Sequence, residues 1–393
     1  MSTGHPMTVA WISDFPIEWM PDLPEPLRSM PRLKSPTWTQ VLFEEFRQRR
    51  DLKLHVIALR KGIPGDVVFE RDGVTFRILK VMRGLRASSL FWHDTLIIRR
   101  ALKEIRPDLV HAWGTERGAA IVAQRLGYPY LVTIQGLFAW YRELIPLHAY
   151  DRFTAAIERY CLRRAHVVTT ESCFAVRFLQ ERFPNLTVRQ AEHAPNHVFR
   201  EVQRRPCKGP VRMLFVGTFG FRKGGDVLLR ALDRLLGKVE FELTVVGSPD
   251  ERWLASFRQE LSPALWERVR FKADLPPAAV AAELATTTLA VLPTRADTSP
   301  NAVKEAVVAG VPVVATRIGG ILDYVFPGAN GVLCDAGDVG GLADALLEAC
   351  HHPLFSQGLV DAATWARTRE YLSPAQMGIN FFEAYRTVLG QNP

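Results

Sequence analysis

The chain has 393 residues, of which 48% are hydrophobic and 23% are charged, and its formal net charge is +8. This length exceeds one ordinary domain, and the composition is that of a globular protein. No apolar run approaches the ~20 residues of a membrane-spanning helix, and the N-terminus lacks the pattern of a signal peptide. Five scattered cysteines contain no Cys-x-x-Cys pair, which argues against a disulfide framework or a zinc site. We therefore expect a cytoplasmic protein.

The positive charge is spread over basic clusters such as Arg47–Arg50 and Arg99–Lys103. Such clusters most often form solvated helix faces. No aromatic-interleaved motif accompanies them, so we expect no nucleic-acid partner. Peripheral contact with an anionic membrane surface, at the inner face, stays open.

The first half of the chain alternates apolar strand patterns with amphipathic helix patterns. A strand at 8–15 leads into a long Pro-rich loop, Pro16–Pro36, and Asp72-Gly73 is a strong hairpin signal. This alternation predicts an α/β domain with a doubly wound parallel sheet, whose ligands bind at the carboxyl ends of the strands. Further strands are predicted at 52–60, 108–113, 130–136 and 166–172.

A polar, Pro-bearing stretch without clear periodicity separates this half from a second alternating series. It predicts an N-terminal domain over 1–195, a linker over 196–209 and a C-terminal domain over 210–370. Pro195, between His193 and His197, argues against the helix that would align a histidine pair on a metal. No Asp-x-Asp occurs, so we expect no metal site.

The second series opens with a strand at 211–217 and a glycine-rich turn, Gly217–Gly225, before a helix. Such a turn can bring backbone N–H groups close to a phosphate, and Arg222 and Lys223 add two positive charges. It is neither G-x-G-x-x-G nor a P-loop. The alternative is a basic, solvated loop.

The most informative stretch runs from Asp297 to Asp323. Ser299 is predicted to cap a helix with Pro300 as its first residue, and Asn301 and Glu305 then share one face. The N–H groups of such a helix start can bind an anion, and Glu305 can accept bonds from hydroxyls beside it. An ordinary helix–strand unit is the alternative.

This stretch resembles the nucleotide-sugar motif of retaining glycosyltransferases of family 4, which have two Rossmann-like domains facing across a cleft, the GT-B architecture. Asp297, Glu305, Gly310 and Pro312 match the pattern of an acid, seven residues and E-A-x-x-x-G-x-P-V-V-A, although the family usually has Glu where this chain has Asp297. The final helix, predicted within 371–393, often returns to the first domain in that family.

The resemblance implies transfer of a sugar, of the hexosyl type, from a nucleotide diphosphate sugar to an acceptor hydroxyl, with retention and without a metal or other cofactor. The acceptor would be a polysaccharide, a lipid-linked glycan or a small glycoside. Lys223 and Gly224 match the family's diphosphate-binding loop, where Thr218 replaces its early Arg and Arg222 can supply that charge. The family commonly has a His where this chain has Gln135, which cannot exchange protons near neutral pH.

The implied site residues fall into three groups. Acceptor-side contacts are implied for His111 and Glu116, although a lone histidine at a strand end is more often structural. The implied catalytic residues are Asp297, Lys223, Arg222 and Gln135, and the implied donor-binding residues are Gly217, Thr218, Gly220, Gly224, Ser299, Asn301, Ala302 and Glu305.

Two alternative functions stay open, a non-catalytic nucleotide-sugar-binding subunit and a nucleotide-sugar epimerase.

Overall fold

The computed structural model describes residues 5–30, 37–82, 84–206, 209–273 and 275–391. The chain divides into two compact units, one of Met1–His193 with Pro374–Pro393 and the other of Ala194–Ser373. The last six residues of the predicted Pro-rich loop, 31–36, lie outside the described residues, as do 207 and 208 of the predicted linker.

The first unit is built on an eight-stranded sheet with the order β3-β4-β2-β1-β5-β6-β7-β8. Neighbouring strands are parallel except for β3 and β4, which form the hairpin predicted at Asp72-Gly73. Both turn residues have positive φ, 52° and 75°, the conformation that Asp-Gly turns adopt readily. The strands are β1 (Met7–Ile12), β2 (Leu52–Arg60), β3 (Val67–Arg71), β4 (Val74–Lys80), β5 (Leu109–Trp113), β6 (Tyr130–Ile134), β7 (Val167–Thr170) and β8 (Thr187–Gln190).

Helices lie between these strands and cover the sheet. Strands β5 and β7 are buried along their whole length, as expected for parallel strands covered on both faces. The helices are α1 (Glu25–Arg28), α2 (Thr37–Phe46), α3 (Leu85–Ser88), α4 (Trp92–Ile105), α5 (Ala119–Leu126), α6 (Phe138–Leu144), α7 (Ala149–Leu162) and α8 (Cys173–Arg182).

The second unit contains a six-stranded, fully parallel sheet with the order β11-β10-β9-β12-β13-β14. The predicted pair of doubly wound sheets is therefore confirmed. The strands are β9 (Val211–Val216), β10 (Phe241–Val246), β11 (Val269–Lys272), β12 (Leu289–Leu292), β13 (Val313–Thr316) and β14 (Gly331–Cys334). The helices are α9 (Gly225–Asp233), α10 (Glu251–Glu260), α11 (Pro263–Trp266), α12 (Pro277–Thr286), α13 (Asn301–Ala309), α14 (Val339–His351) and α15 (Ala362–Tyr371).

The segment predicted as a linker packs onto the second unit in its described part. Phe199 is buried in the hydrophobic core of that unit. Arg204 donates hydrogen bonds to the carbonyl oxygens of Leu284, Thr287 and Gly358. Part of the polar composition that suggested a linker thus belongs to Arg204, which binds backbone carbonyls of the second unit.

The last helix, α16 (Pro374–Val388), belongs to the first unit. Its Tyr385 is fully buried, and the phenol oxygen lies 2.8 Å from Trp11 Nε1 and 2.8 Å from His111 Nδ1. The other ring nitrogen of His111 lies 2.6 Å from Thr133 Oγ1. One buried hydroxyl therefore joins α16 to β1 and β5.

Tyr385→Phe should lower the free energy of unfolding of the first unit by about 1–3 kcal/mol, because two buried polar groups lose their partner. Urea unfolding followed by tryptophan fluorescence measures the change. Tyr160→Phe is the matched control, since that side chain is exposed. Equal stability of the two variants would contradict a structural role for the Tyr385 hydroxyl.

Candidate active site

The loop between β9 and α9 follows a path that only glycine permits at two places. Gly224 has φ 72°, and a Cβ there would collide with the carbonyl oxygen of Pro293. Gly217 has φ 134°, and its own carbonyl oxygen closely approaches Gly247, which follows β10. The contact between Gly224 and Pro293 holds the loop after β9 against the loop after β12. Thr218 is exposed on this loop, and Gly220 accepts a 3.1 Å bond from the Gly225 N–H.

Lys223 and Asp297 form an ion pair between these two loops. The Lys223 side chain is 15% exposed and that of Asp297 is 11% exposed. Burial lowers the pKa of Lys223, and the neighbouring Asp297 carboxylate partly opposes that shift. Arg222 Nη1 lies 3.9 Å from the same carboxylate, and 43% of the Arg222 side chain is exposed. The structure thus brings together three of the predicted catalytic residues.

These loops lie at the topological switch point of the second sheet. The chain runs outward from β9 through β10 to β11 and then returns to β12 on the other side of β9. In open α/β sheets, the crevice at such a point, outside the carboxyl ends of the strands, is where ligands bind. Lys223 follows β9 and Asp297 follows β12, so the pair occupies the expected position.

A second ion pair, which the sequence did not reveal, supports the same loops. Arg295 binds the carboxylate of Asp226 in a two-pronged arrangement with distances of 2.6 and 2.7 Å. Arg295 also donates a 2.6 Å bond to the carbonyl of Phe221. No sequence pattern predicts that an arginine after β12 contacts an aspartate at the start of α9. The two residues meet because β9 and β12 are neighbours in the sheet.

Helix α13 begins one residue later than predicted. Pro300 is the N-cap, with extended backbone at φ −72° and ψ 118°, and no side chain caps the helix. The predicted N-cap position of Ser299 is therefore wrong; its hydroxyl lies 3.3 Å from the Tyr324 hydroxyl. Within the described residues, the N–H groups of Asn301 and Ala302 make no hydrogen bond.

Glu305 lies one turn into α13, four residues after Asn301, as the spacing predicted. Burial raises the pKa of its carboxyl to about 7, while Lys304 acts in the opposite direction. Its carboxylate makes no hydrogen bond or ion pair to a side chain among the described residues. A half-buried acid without such a partner can bind a hydroxyl donor from outside the protein.

In the first unit, Glu116 and Gln135 lie on neighbouring loops after β5 and β6. Side-chain oxygens of both border Gly114, and the Glu116 carboxylate occupies the space that a Cβ at Gly114 would need. Burial raises the pKa of Glu116 to about 7 against backbone hydrogen bonds that lower it. Gln135 makes no hydrogen bond within the described residues. These two predicted residues are brought together.

His111 lies in a different environment. Its ring is fully buried, with Tyr385 and Thr133 at its two nitrogens. Burial and the nearby His193 lower the pKa of His111 well below its ordinary value. The predicted acceptor-side role stays a prediction, and it would require the ring to leave both bonds.

Glu158, on α7, is a further buried acid of the first unit. Its carboxylate accepts backbone bonds of 3.3 Å from Phe138 and 3.0 Å from Ala139, and Thr115 Oγ1 lies 3.3 Å away. Burial raises its pKa to about 8, and the Glu116 carboxylate adds to the shift. Glu158 therefore connects the loop of Glu116 to the loop of Gln135. A glutamate inside an amphipathic helix gives no sequence signal for this contact.

No three His, Cys, Asp or Glu side chains in the described part of the chain converge into a group that could hold a metal ion. None of the helices in that part is both long enough and apolar enough to cross a bilayer.

Two family models match the chain. The model described as "Glycosyl transferase 4-like domain" matches residues 39–193, and the one described as "Glycosyl transferases group 1" matches residues 210–352. The first match falls within the first unit and the second within the second unit.

Several curated proteins are similar to the chain in sequence. A glycogen synthase of Mycobacterium tuberculosis is 30% identical over 275 residues, which are 68% of this chain and 66% of the relative. The chain thus spans about two thirds of that relative's length. A 2-deoxystreptamine N-acetyl-D-glucosaminyltransferase of Streptomyces fradiae is 28% identical over 332 residues, or 74% of this chain and 77% of the relative.

Solved structures share the fold over nearly the whole chain. Sucrose-phosphate synthase of Thermosynechococcus elongatus has a TM-score of 0.77 at 18% identity, covering 98% of this chain and 99% of that one. HepE of Anabaena, in complex with UDP-glucose, has a TM-score of 0.71 at 14% identity, covering 97% and 100%. With two doubly wound units and both domain models matched, the chain belongs to the family-4-type glycosyltransferases and has their GT-B architecture.

Proposed function

We propose that the protein transfers a hexosyl group from a nucleoside diphosphate sugar to an acceptor hydroxyl with retention of configuration. The bond between the anomeric carbon and the diphosphate oxygen breaks, and a bond between that carbon and the acceptor oxygen forms. The acceptor proton passes to the leaving diphosphate. The observation that carries this proposal is the pair of cations, Arg222 and Lys223, which lie against Asp297 in the loop before α13, at the switch point of the second sheet.

Negative charge grows on the diphosphate as the glycosidic bond stretches. Lys223 and Arg222 would stabilise it, together with the N–H groups of Asn301 and Ala302. Because Lys223 is held in advance by Asp297, little reorganisation is needed when the diphosphate arrives. These protein cations would take the place of a metal ion, so the proposed reaction is metal-independent.

Glu305 would bind the ribose hydroxyls of the donor. It lies one turn deeper in the helix whose N-terminus would contact the diphosphate, and its carboxylate lacks a side-chain partner. Hydrogen bonds to a charged carboxylate are worth about 1.5–3 kcal/mol, so Glu305 would contribute substantially to donor affinity.

Asp297 would bind the donor sugar. Its Oδ2 contacts Lys223, and its Oδ1 makes no hydrogen bond within the described residues. The free oxygen can accept a bond from a sugar hydroxyl near the anomeric carbon. On the first unit, Gln135 and Glu116 would contact the transferred sugar and the acceptor.

The reaction is tested by incubating the protein with UDP-glucose and other nucleotide sugars, with and without glycan, lipid-linked and small hydroxylated acceptors. Free nucleotide released only with acceptor supports transfer. Epimerised donor would indicate an epimerase, and binding without turnover would indicate a nucleotide-sugar-binding subunit. The anomeric configuration of the product, read by NMR, tests retention.

Lys223→Met should lower kcat by about 100-fold or more, because one donor to the leaving group is lost while the apolar stem is kept. Steady-state kinetics measure the change, and thermal unfolding monitors the fold. Lys238→Met is the matched control, since Lys238 is exposed in the same unit. A normal rate in a folded Lys223→Met protein would remove Lys223 from the reaction.

Gly224→Ala should abolish nucleotide binding, because the new Cβ would force the β9 loop away from Pro293. Gly237→Ala is the control, since Gly237 has almost the same φ, 74°, but open space around it. Calorimetric titration with UDP measures both variants. Comparable UDP affinity in the two would show that contact between the loops is not needed.

Donor binding should depend on the charge of Glu305. With a pKa near 7, the carboxyl is mostly protonated at pH 6 and ionised at pH 8. UDP affinity should therefore fall about tenfold from pH 8 to pH 6. Glu305→Gln should bind UDP weakly at both pH values, without the tenfold change in affinity. A change that persists in this variant would come from titration of the UDP phosphate and would contradict the role of Glu305.

The raised pKa of Glu305 also makes the stability of the folded protein depend on pH. Since the folded pKa is raised from 4.5 to about 7, the ionised carboxyl costs the folded state increasingly as pH rises between these values. Glu305→Gln should thus unfold at a higher temperature than the wild type at pH 8, with the difference vanishing near pH 4.5. An unchanged difference across this range would contradict the raised pKa assigned to Glu305.

A further inference from the structure

The first unit exposes large apolar side chains within one short segment, residues 82–96. Five of the fourteen large hydrophobic side chains that are exposed in the described part of the chain lie there. They are Met82 (59% exposed), Leu85 (40%), Leu90 (51%), Trp92 (49%) and Leu96 (53%). Exposed apolar side chains concentrated in this way commonly mark a surface that contacts a partner or a membrane.

The backbone just before α4 is strained where it exposes two of these side chains. Leu90 and Phe91 have positive φ, 46° and 62°, which is rare for bulky residues. The Phe91 ring is buried against Gly118, whereas Leu90 and Trp92 on either side of it are about half exposed. Strained backbone persists where the surrounding structure holds it, and it is common at binding sites. The segment thus exposes Leu90 and Trp92 at a conformational cost.

A second exposed apolar corner lies between α6 and α7, where a crevice of about 490 Å³ opens. Two arginines, Arg142 and Arg152, line the crevice, and their guanidinium groups make no hydrogen bond or ion pair within the described residues. Leu144 and Tyr150 beside it are 43% and 53% exposed. Two cations without a counter-charge in apolar surroundings favour a ligand that is anionic and also has an apolar part. The apolar lining residues are Ile145, Pro146, Leu147 and Phe153.

The two segments flank one loop of the first unit. Arg86, on α3, donates a 3.1 Å bond to the carbonyl oxygen of Arg117, and Tyr150 Oη donates a 2.8 Å bond to that of Glu116. The segments also follow the carboxyl ends of β4 and β6, which run in the same direction through the sheet. The exposed side chains of residues 82–106 and 142–153 therefore lie at one edge of the sheet, and we call them the apolar–basic surface.

The charge of this surface indicates the sign of its partner. Residues 82–106 contain six basic and two acidic residues, and one of the acids, Asp94, is buried against Arg86. The guanidinium of Arg125 lies 4.3 Å from the ring centroid of Trp92, so a cation and an exposed aromatic ring share one place. An anionic bilayer offers both phosphate groups and a hydrocarbon phase, whereas a nucleic acid offers no hydrocarbon phase.

We propose that the apolar–basic surface binds the face of a lipid bilayer that contains anionic phospholipids. Leu90, Trp92 and Leu96 enter the interface between the headgroups, and Arg142 and Arg152 bind lipid phosphates. The binding is peripheral, through side chains at one edge of the first sheet. The inference does not rest on the proposed transferase function, and its test needs neither a sugar donor nor an acceptor.

Flotation of the protein with lipid vesicles is the direct test. Vesicles of phosphatidylcholine with about 30% phosphatidylglycerol should bind the protein at least about tenfold more tightly than vesicles of phosphatidylcholine alone, at about 0.1 M salt. Raising the salt to about 0.5 M should weaken this binding severalfold, because exposed charges are then screened. Equal binding to both kinds of vesicle, or binding to neither, would overturn the proposal.

Leu96→Asn should weaken binding to the anionic vesicles by about fivefold, because one apolar side chain no longer leaves water. Leu359→Asn is the matched control, since Leu359 is 42% exposed and lies in the second unit. Both positions are exposed, so both variants should unfold at the wild-type temperature. Equal vesicle binding by the two variants would mean that charge alone attracts the protein, and the apolar contact would be excluded.

Arg152→Glu should weaken binding to the anionic vesicles by about tenfold. Arg50→Glu changes the net charge by the same amount, but Arg50 is exposed just before β2, at the opposite edge of the sheet, and this variant should lose less than about twofold. Equal losses in the two variants would mean that the net charge of +8, rather than this surface, attracts the protein to the vesicles.

A second copy of the chain is the alternative occupant of the apolar–basic surface. Light scattering without vesicles gives the mass of the wild type and of Leu96→Asn. The same mass for both, with weakened vesicle binding in the variant, supports the membrane contact. A wild-type dimer that dissociates in Leu96→Asn would show that a second copy covers the surface, and would overturn the proposal.

Discussion

The ion pair between Lys223 and Asp297 is the interaction on which the nucleotide site depends. It joins the loop after β9 to the loop after β12, on the two sides of the switch point. A buried lysine without a partner would be costly, and burial alone lowers its pKa. The Asp297 carboxylate opposes this shift in pKa and so favours the charged ammonium where the proposed diphosphate needs a cation. Two further contacts hold the same two loops together. They are the ion pair of Arg295 with Asp226 and the close approach of Gly224 to Pro293.

The first unit relies on a different device, a chain of buried polar groups across its sheet. Tyr385 on α16 contacts Trp11 and His111, and His111 leads through Thr133 to Thr169 with separations of 2.6 Å. Strands β1, β5, β6 and β7 are thus joined to the last helix of the chain. This arrangement fixes the strand ends from which the loops of Glu116 and Gln135 emerge. Glu158 then ties those loops to each other.

The sequence predicted the fold well because periodicity and turn chemistry are local. The Asp72-Gly73 hairpin, the alternating strands and the positions of Lys223 and Glu305 all follow from short-range patterns. The cap of α13 was misplaced because Pro300 has extended backbone and takes the N-cap position itself, while the hydroxyl of Ser299 lies beside Tyr324. The segment predicted as a linker, 196–209, lacks a clear sequence periodicity, because its contacts with the second unit come from scattered residues such as Phe199 and Arg204.

Contacts between distant segments could not be predicted in this way. Arg295 and Asp226 are 69 positions apart, and Tyr385 and His111 are 274 apart, so no local pattern links them. Local sequence patterns do not show which strands are neighbours in a sheet, and that order decides which loops lie close together.

The central claim is that Lys223 and Glu305 bind two parts of one nucleotide, and a crystal structure of the protein with UDP tests it most directly. The account predicts Lys223 Nζ at about 3 Å from a β-phosphate oxygen and the Glu305 carboxylate at the same distance from the ribose hydroxyls. UDP bound with its diphosphate away from Lys223, or with its ribose away from Glu305, would contradict it.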